Sequence, residues 1–278
     1  MGNDLCKLSS AEKETRSMLD ASEHAQSILD QSTDGGAVTL NDFKVVKKLG
    51  QGGFGKVFLV QRKGSRQKFA MKVVKKSDVL AKNLIRQIMT ERHILAQVAS
   101  PFVVDMHFAF QTDEKLYFIM DYVKGGELHA QIQLGLSEDE IRFYGSEIVL
   151  GLEYLHSLGI VYRDLKSENV LISADGHVKL TDFGLSKQLS PTGGDVTHTM
   201  CGTPDYVAPE VLSKQGHTES IDWWALGILL YEMYVKRTPF VSMNLHETLK
   251  FLHGSKPVCL DQLENASDQF RSLVGKLL

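Results

Sequence analysis

The 278-residue sequence is short of cysteine, of long apolar runs and of net charge, and each shortage argues against something. Its three cysteines, Cys6, Cys201 and Cys259, lie far apart and show no CxxC or ligand-like spacing. A disulfide framework or cysteine-rich zinc site is not expected, and a reducing compartment is. The longest strongly apolar stretch, Trp223 to Val235, is too short to cross a bilayer and carries Glu232. No apolar secretory segment follows Met1, and no internal repeat is visible. Lys plus Arg number 31 against 34 Asp plus Glu, a formal charge of −3. That near-balance gives no reason to expect a nucleic-acid partner or a polybasic membrane protein. What is present is 43% hydrophobic residues, enough for one large domain or two modest lobes around a sizeable core. An intracellular protein, cytoplasmic or nuclear, is the expectation.

Residues 1–40 differ from the rest, being polar and Ser-rich and ending near the Gly35-Gly36 break. Ser9 with Glu12 has the form of a capping box, and Met18, Ala25, Ile28 and Leu29 give a weak apolar stripe. Met1-Gly2-Asn3 invites an N-myristoylation reading, with Cys6 standing where Ser or Thr is usual and offering a second, acylated anchor. Residues 1–30 hold three basic against six acidic side chains, and an unmodified initiator sequence is the alternative. Membrane contact is expected only if Gly2 and Cys6 are lipidated.

From Phe43 the pattern changes to strands. Phe43 to Gly50, Lys56 to Gln61 and Gln67 to Lys75 are short β-rich runs between Gly-rich or polar turns. A helix is predicted from about Leu84 to Gln97, with Ile85, Ile88, Met89, Ile94 and Leu95 on one face and Pro101 as its stop. Val104 to Gln111 and Lys115 to Tyr122 read as strands, ending at Gly125-Gly126. The period then becomes helical: Ser137 with Glu140 forms a capping box ahead of Ile141, Tyr144, Ile148, Leu152 and Leu155. Asp175-Gly176, between Val170 to Ser173 and Val178 to Thr181, predicts a tight hairpin. Ser220 to Val235 and the C-terminal third read as helical. A small β-rich lobe therefore precedes a larger helical one.

Gly50-Gln51-Gly52-Gly53-Phe54-Gly55-Lys56-Val57 lies between two predicted strands. A dinucleotide-binding turn needs a helix after its glycines, and Val57, Phe58, Leu59 and Val60 are β-formers instead. A glycine-rich hairpin can lie over a polyphosphate, because absent side chains let backbone N–H groups approach the oxygens. An ordinary hairpin stays open on this string alone. Lys72, on the third strand, would place an ammonium beneath the loop, and Glu91 on the next helix is a natural partner to extend it. Next come Tyr162-Arg163-Asp164-Leu165-Lys166-Ser167-Glu168-Asn169 and Asp182-Phe183-Gly184. Asp164 is a carboxylate able to orient a hydroxyl and accept its proton, and Lys166 offers charge to a moving phosphoryl group. Asn169 and Asp182 are hard oxygen ligands suited to magnesium.

This ordered series, closed by Ala208-Pro209-Glu210, resembles the eukaryotic protein kinases over about residues 41–278. Tyr162 before Arg-Asp, and Cys201-Gly202-Thr203-Pro204-Asp205-Tyr206, are similar to the AGC group of serine/threonine kinases. Phe118 to Leu128 and Asp182 to Lys187 look closest to the ribosomal-protein-kinase and mitogen/stress-activated branch. The resemblance implies an α+β bilobal protein-kinase fold, with a small β-rich lobe (41–121) and a larger helical lobe (122–278). It implies a Mg2+- and ATP-dependent serine/threonine protein kinase. The alternative is a catalytically impaired nucleotide-binding scaffold or regulatory fragment.

By the same resemblance ATP sits between the lobes. Adenine rests among Leu49, Val57, Ala70, Met120 and Leu171, residues that core packing would explain equally well. Backbone bonds come from Asp121 and Val123, and Gly50, Gly52, Gly53, Phe54 and Gly55 cover the phosphates. Lys72, held by Glu91, binds α/β-phosphates; Asn169 and Asp182 hold magnesium; Asp164 and Lys166 are catalytic. Glu127 reaches the ribose, a peptide arginine, or both. Glu127, Glu168 and Glu232 read basic residues two to five positions before the acceptor Ser or Thr, by charge-assisted pairing; for Glu232 a structural ion pair stays open. Thr199 is the position an upstream activating kinase would phosphorylate, recruiting Arg163 and Lys187, with Thr197 its near competitor. Thr203 is expected to hydrogen-bond the Asp164–Lys166 pair, and Asp222 to anchor the catalytic-loop backbone. The basic run from Arg62 to Lys82 lacks the interleaved aromatics of a base-stacking surface and reads as solvated strand edges. The chain stops at Leu278, where relatives continue, so an incomplete helical lobe with Glu210 left unpaired is the expectation.

Overall fold

The computed structural model describes residues 38–52, 55–189, 197, 199, 201–213, 216–240, 258 and 260–278. The features read from residues 1–37, and Gly53, Phe54 and Cys259, lie outside them. The described chain divides into two units. The first takes residues up to Asn83 with Met106–Met120, and the second Leu84–Asp105 with Asp121–Leu278.

The first unit is built on strands β1 (Phe43–Gly52), β2 (Gly55–Arg62), β3 (Lys68–Lys75), β4 (Met106–Gln111) and β5 (Lys115–Asp121). They form one sheet in the order β1-β2-β3-β5-β4, with β1·β2, β2·β3 and β4·β5 antiparallel. Alternation sets its buried face. Val60 pairs with Phe69, so these residues share one side with Phe43 and Met71, and Tyr117 and Ile119 complete the cluster, while Val45, opposite Val60 on the edge strand, is exposed. Phe43 stacks on Phe110 at 6.2 Å and Phe110 on Tyr117 at 5.0 Å. Edge strand β1 exposes Lys44, Lys47 and Lys48, charges that discourage edge-to-edge pairing. A short helix, α1 (Lys76–Ala81), follows β3.

The second unit opens with α2 (Ile85–Gln97), which buries Ile88, Glu91, Ile94 and Leu95. It ends at Gln97, as expected, with Val98 already extended and Pro101 four residues beyond its last turn. The strand expected from Val104 begins only at Met106, because Val103 bridges Leu180 and the Val104 N–H donates to Leu180 O at 3.0 Å. Helices α3 (Leu128–Leu134) and α4 (Glu138–Ser157) follow. The capping box at α4 is present: Glu140 N–H donates to Ser137 Oγ at 3.3 Å and Ser137 N–H to Glu140 Oε2 at 2.7 Å. Ile141, Ile148, Leu152 and Leu155 are fully buried, each stabilising by about 1.5–3 kcal/mol relative to exposure. Strand β6 (Ile160–Val161) pairs with β9 (Lys187–Gln188), and β7 (Val170–Ile172) with β8 (Val178–Leu180) around the Asp175-Gly176 turn. Then come α5 (Pro209–Leu212), α6 (Ser220–Val235) and α7 (Asp268–Leu277). Helix α6 is buried on all sides from Trp224 to Met233. Its Gly227 lets α7 approach so closely that an added Cβ would lie 2.9 Å from the Leu277 Cβ. No helix among the described residues is long and apolar enough to cross a membrane.

Candidate active site

In the first unit the glycine-rich segment is a hairpin. Gly52 pairs with Gly55 and Gly50 with Val57, bracketing the tip. Gly55 has no substitute here, since its φ is +153° and a Cβ would meet Val73 O at 2.3 Å. Strand β3 lies directly alongside: Val57 is opposite Lys72 and Leu59 opposite Ala70. Lys72 is 7% exposed and Met120 8%, whereas Leu49 is exposed. Val57, Ala70 and Lys72 thus share one face, as cross-strand partners and alternate residues must.

In the second unit Glu91 is buried on α2. Asp121 forms an ion pair with Lys179 at 3.0 Å, Val123 is half-buried, and exposed Glu127 bridges Leu171 at the start of α3. Gly125 makes that approach feasible, since a Cβ there would sit 2.4 Å from Ile172 O.

The segment after β6 is held from beneath by α6. Fully buried Asp222 accepts from Tyr162 N–H through Oδ2 and Arg163 N–H through Oδ1, both at 2.8 Å, and His156 Nε2 stands 2.8 Å from Oδ2. Arg163 takes a left-handed φ of 69°, a turn that a non-glycine residue adopts only where its surroundings impose it. Its Nε donates to Leu185 O at 2.6 Å and its Nη1 to Thr197 Oγ1 at 3.3 Å. Burial lowers the Arg163 pKa from its ordinary value.

Asp164, 8% exposed, is the centre of a closed hydrogen-bond ring. Lys166 Nζ donates to Asp164 Oδ2 at 3.0 Å and to Thr203 Oγ1 at 2.9 Å, and Thr203 Oγ1 donates to Asp164 Oδ1 at 3.0 Å. Asn169 Nδ2 donates to Asp164 O at 2.8 Å and to Oδ2 at 2.9 Å. Both carboxylate oxygens are oriented, and the flanking ammonium balances their charge. The expected contact of Thr203 with the Asp164–Lys166 pair, and of Asp222 with the loop backbone, are both observed. Asp182 follows β8 at φ 58°, with the Gly184 N–H 3.4 Å from its Oδ1, and Phe183 is buried edge-on to Tyr162 at 5.2 Å. Since the Asn169 nitrogen is committed to Asp164, its amide oxygen is the atom left to act as a ligand. Asn169 and Asp182 thus offer the hard neutral and anionic oxygens that a magnesium–polyphosphate group prefers.

The three acidic residues assigned to substrate reading differ in setting. Glu127 and Glu168 are exposed. Glu232 is buried, accepts from Ser167 Oγ at 3.1 Å and from the Tyr206 hydroxyl, and lies 3.5 Å from His129 Nδ1. Burial raises its pKa above the ordinary carboxylate value. Sequence reading missed His129, Ser167 and Tyr206 as its neighbours; they are brought together by packing and no spacing rule links them.

Thr199 is exposed, while Thr197 is buried, pairs through its backbone with His217 and receives Arg163. Lys187 is half-buried on β9. The Cys201 thiol is pushed up in pKa by burial, which fits a packed cysteine rather than a reactive thiolate. Glu210, expected to lack a partner, is half-exposed and accepts from Ser220 Oγ at 3.1 Å.

Residues 43–278 match the protein kinase domain. A RAC family serine/threonine-protein kinase homolog of Dictyostelium discoideum is 44% identical over 87% of this chain and 54% of its own length. Ribosomal protein S6 kinase 2 alpha of Xenopus laevis is 46% identical over 85% of this chain and 32% of its own length. RAC-beta serine/threonine-protein kinase A of Xenopus laevis is 47% identical over 76% of this chain and 44% of its own length. The chain therefore spans about half, or less, of the curated relatives it matches. With the five-stranded sheet unit, the helical unit and the ordered series from Gly50 to Glu210 in place, the chain belongs to the protein kinase family, with AGC-group serine/threonine kinases as its relatives.

Proposed function

We propose that the chain transfers the γ-phosphoryl group of ATP to serine or threonine hydroxyls of protein substrates carrying basic residues upstream of the acceptor. The observation that carries this reading is the Asp164 carboxylate, fixed at both oxygens by Lys166, Thr203 and Asn169. A carboxylate so held orients an incoming hydroxyl and accepts its proton as the oxygen–phosphorus bond forms and the bond to the ADP oxygen breaks. Lys166 offsets charge on the transferring group, and Lys72 binds the α- and β-phosphates. Asn169 and Asp182 would hold Mg2+, which neutralises phosphate charge when bound. Most of the acceleration in such a site comes from alignment and charge compensation.

The resemblance supports Leu49, Gly50, Gly52, Gly53, Phe54, Gly55, Val57, Ala70 and Met120 as nucleotide contacts, together with Asp121, Val123, Glu127 and Leu171. Glu127, Glu168 and Glu232 read the substrate's basic residues, and Thr199 accepts phosphate from an upstream kinase, with Arg163 and Lys187 as its recruits. The test uses the purified chain with Mg-ATP and a serine/threonine peptide library carrying Arg or Lys upstream. Transfer should fall about 10²–10⁴-fold in Asp164→Asn with nucleotide binding retained, and vanish in Lys72→Met. Near-normal turnover in Asp164→Asn would overturn the assignment.

A further inference from the structure

Glu232 is 5% exposed, unlike the exposed Glu127 and Glu168. Its Oε1 accepts from the hydroxyl of fully buried Ser167 at 3.1 Å, a hydroxyl that also stands 3.4 Å from Glu168 Oε2, and its Oε2 is bonded to the Tyr206 hydroxyl. The Ser167 oxygen is then left to accept, and His129 Nδ1 stands 3.1 Å from it and 3.5 Å from Glu232 Oε1. A donor chain runs from imidazole through hydroxyl to carboxylate, and it requires a hydrogen on Nδ1. The two ends face different surroundings: the His129 side chain is 43% exposed and that of Glu232 7%. Histidine is the side chain whose charge ordinarily changes between pH 5 and 8.

The other charged groups facing this network are engaged elsewhere or are acidic. Glu127 begins α3; Lys166 is bonded to Asp164 and Thr203; Glu168 bears on Glu232 as a like charge; Asp205 is bonded to Thr238 at 3.0 Å. Lys236, at the end of α6, reaches Gln133 O at the far end of α3. Among the described residues, the group at ion-pair distance from Glu232 is His129.

Resting on the proposed kinase activity, we infer that His129 is a pH-dependent specificity determinant. Protonated, it serves as the counter-ion of Glu232 and relaxes the demand for a basic substrate residue. Neutral, it leaves that carboxylate to be paired by the substrate. A buried carboxylate gains much from whichever cation reaches it, so the two compete directly. Burial also holds Glu232 above the ordinary carboxylate pKa.

The experiment compares peptides with a single Arg, or Ala, at each of positions two to five before the acceptor, at about pH 6 and about pH 8. The Arg-over-Ala ratio of kcat/KM is read for the unmodified chain, for His129→Gln, which keeps a donor without a titration, and for Ser167→Ala, which cuts the relay. At one position the ratio should fall about threefold or more on acidification in the unmodified chain, and much less in His129→Gln. Titration of Glu232 or Glu168 by itself would move both proteins alike. Peptide binding by fluorescence anisotropy reads the same ratio without turnover. Ratios with the same pH dependence in the unmodified chain and His129→Gln at every position would overturn the inference. Absence of phosphotransfer to any peptide would instead overturn the kinase reading, and the anisotropy ratio would still decide the role of His129.

Discussion

The Asp222 carboxylate accepts the Arg163 backbone N–H at 2.8 Å, and with its second oxygen the neighbouring Tyr162 N–H, so one buried side chain on α6 sets the path of the segment that carries Asp164. Replacing it by alanine orphans two backbone donors in a dry interior and strands His156. We expect Asp222→Ala to lower stability by about 2–5 kcal/mol, read by chemical denaturation. Asp222→Asn keeps one acceptor and should fall between. A midpoint within error of the unmodified chain would remove this role.

Thr203 should act through Asp164 rather than on substrate. Its hydroxyl accepts from Lys166 and donates to the carboxylate, so it fixes the distance between base and ammonium. Thr203→Ala is expected to lower kcat about tenfold with KM for ATP little changed, and Thr203→Ser should restore most of the loss. Failure of serine to rescue would assign the effect to packing instead.

Some of this architecture is written along the chain and some is not. β2 and β3 were legible to within a residue or two, because β-formers are bracketed by glycine and polar turns. The α4 start was legible because Ser137 and Glu140 form a local cap, and the catalytic series because it is ordered in sequence. Helix α1 and the β6·β9 pair are too short for a period to declare itself. The start of β4 depended on Val103 and Val104 being drawn to Leu180, a contact 77 residues away in the case of Val103 that no local pattern encodes. The His129–Ser167–Glu232 chain is hidden for the same reason: α3, the catalytic segment and α6 each look locally complete.

Ser267 ties α7 to α4. Its Oγ accepts from Phe270 N–H at 3.2 Å as the helix cap, its hydroxyl donates to Glu138 Oε1, and its N–H donates to Glu138 Oε2 at 3.0 Å. These bonds lower the Glu138 pKa below its ordinary 4.5. A depressed carboxylate pKa gives stability that is present above 4.5 and lost as pH falls through the folded value. Ser267→Ala should cost about 1–2 kcal/mol near neutral pH, and the gap from the unmodified chain should narrow on acidification below that value. A gap unchanged with pH would leave the cap in place but remove the Glu138 link.

The β7·β8 hairpin is pinned by a pair of opposite pH sense. Buried Glu147 on α4 accepts from Val178 N–H at 2.9 Å and lies 2.6 Å from His177 Nδ1, whose ring is also 5.8 Å from that of Phe143. The bond and charge of Glu147 raise the His177 pKa above 6.5. A raised histidine pKa contributes stability that is complete below 6.5 and disappears as pH rises through the folded value. His177→Gln keeps a polar side chain but cannot titrate, so the Tm difference from the unmodified chain should be largest near about pH 6 and shrink toward about pH 9. Glu147→Gln should destabilise at both ends of that range, because the Val178 N–H then meets a neutral acceptor and the imidazolium loses its counter-charge. Equal Tm differences for His177→Gln across the range would show that the imidazole contributes only packing against Phe143.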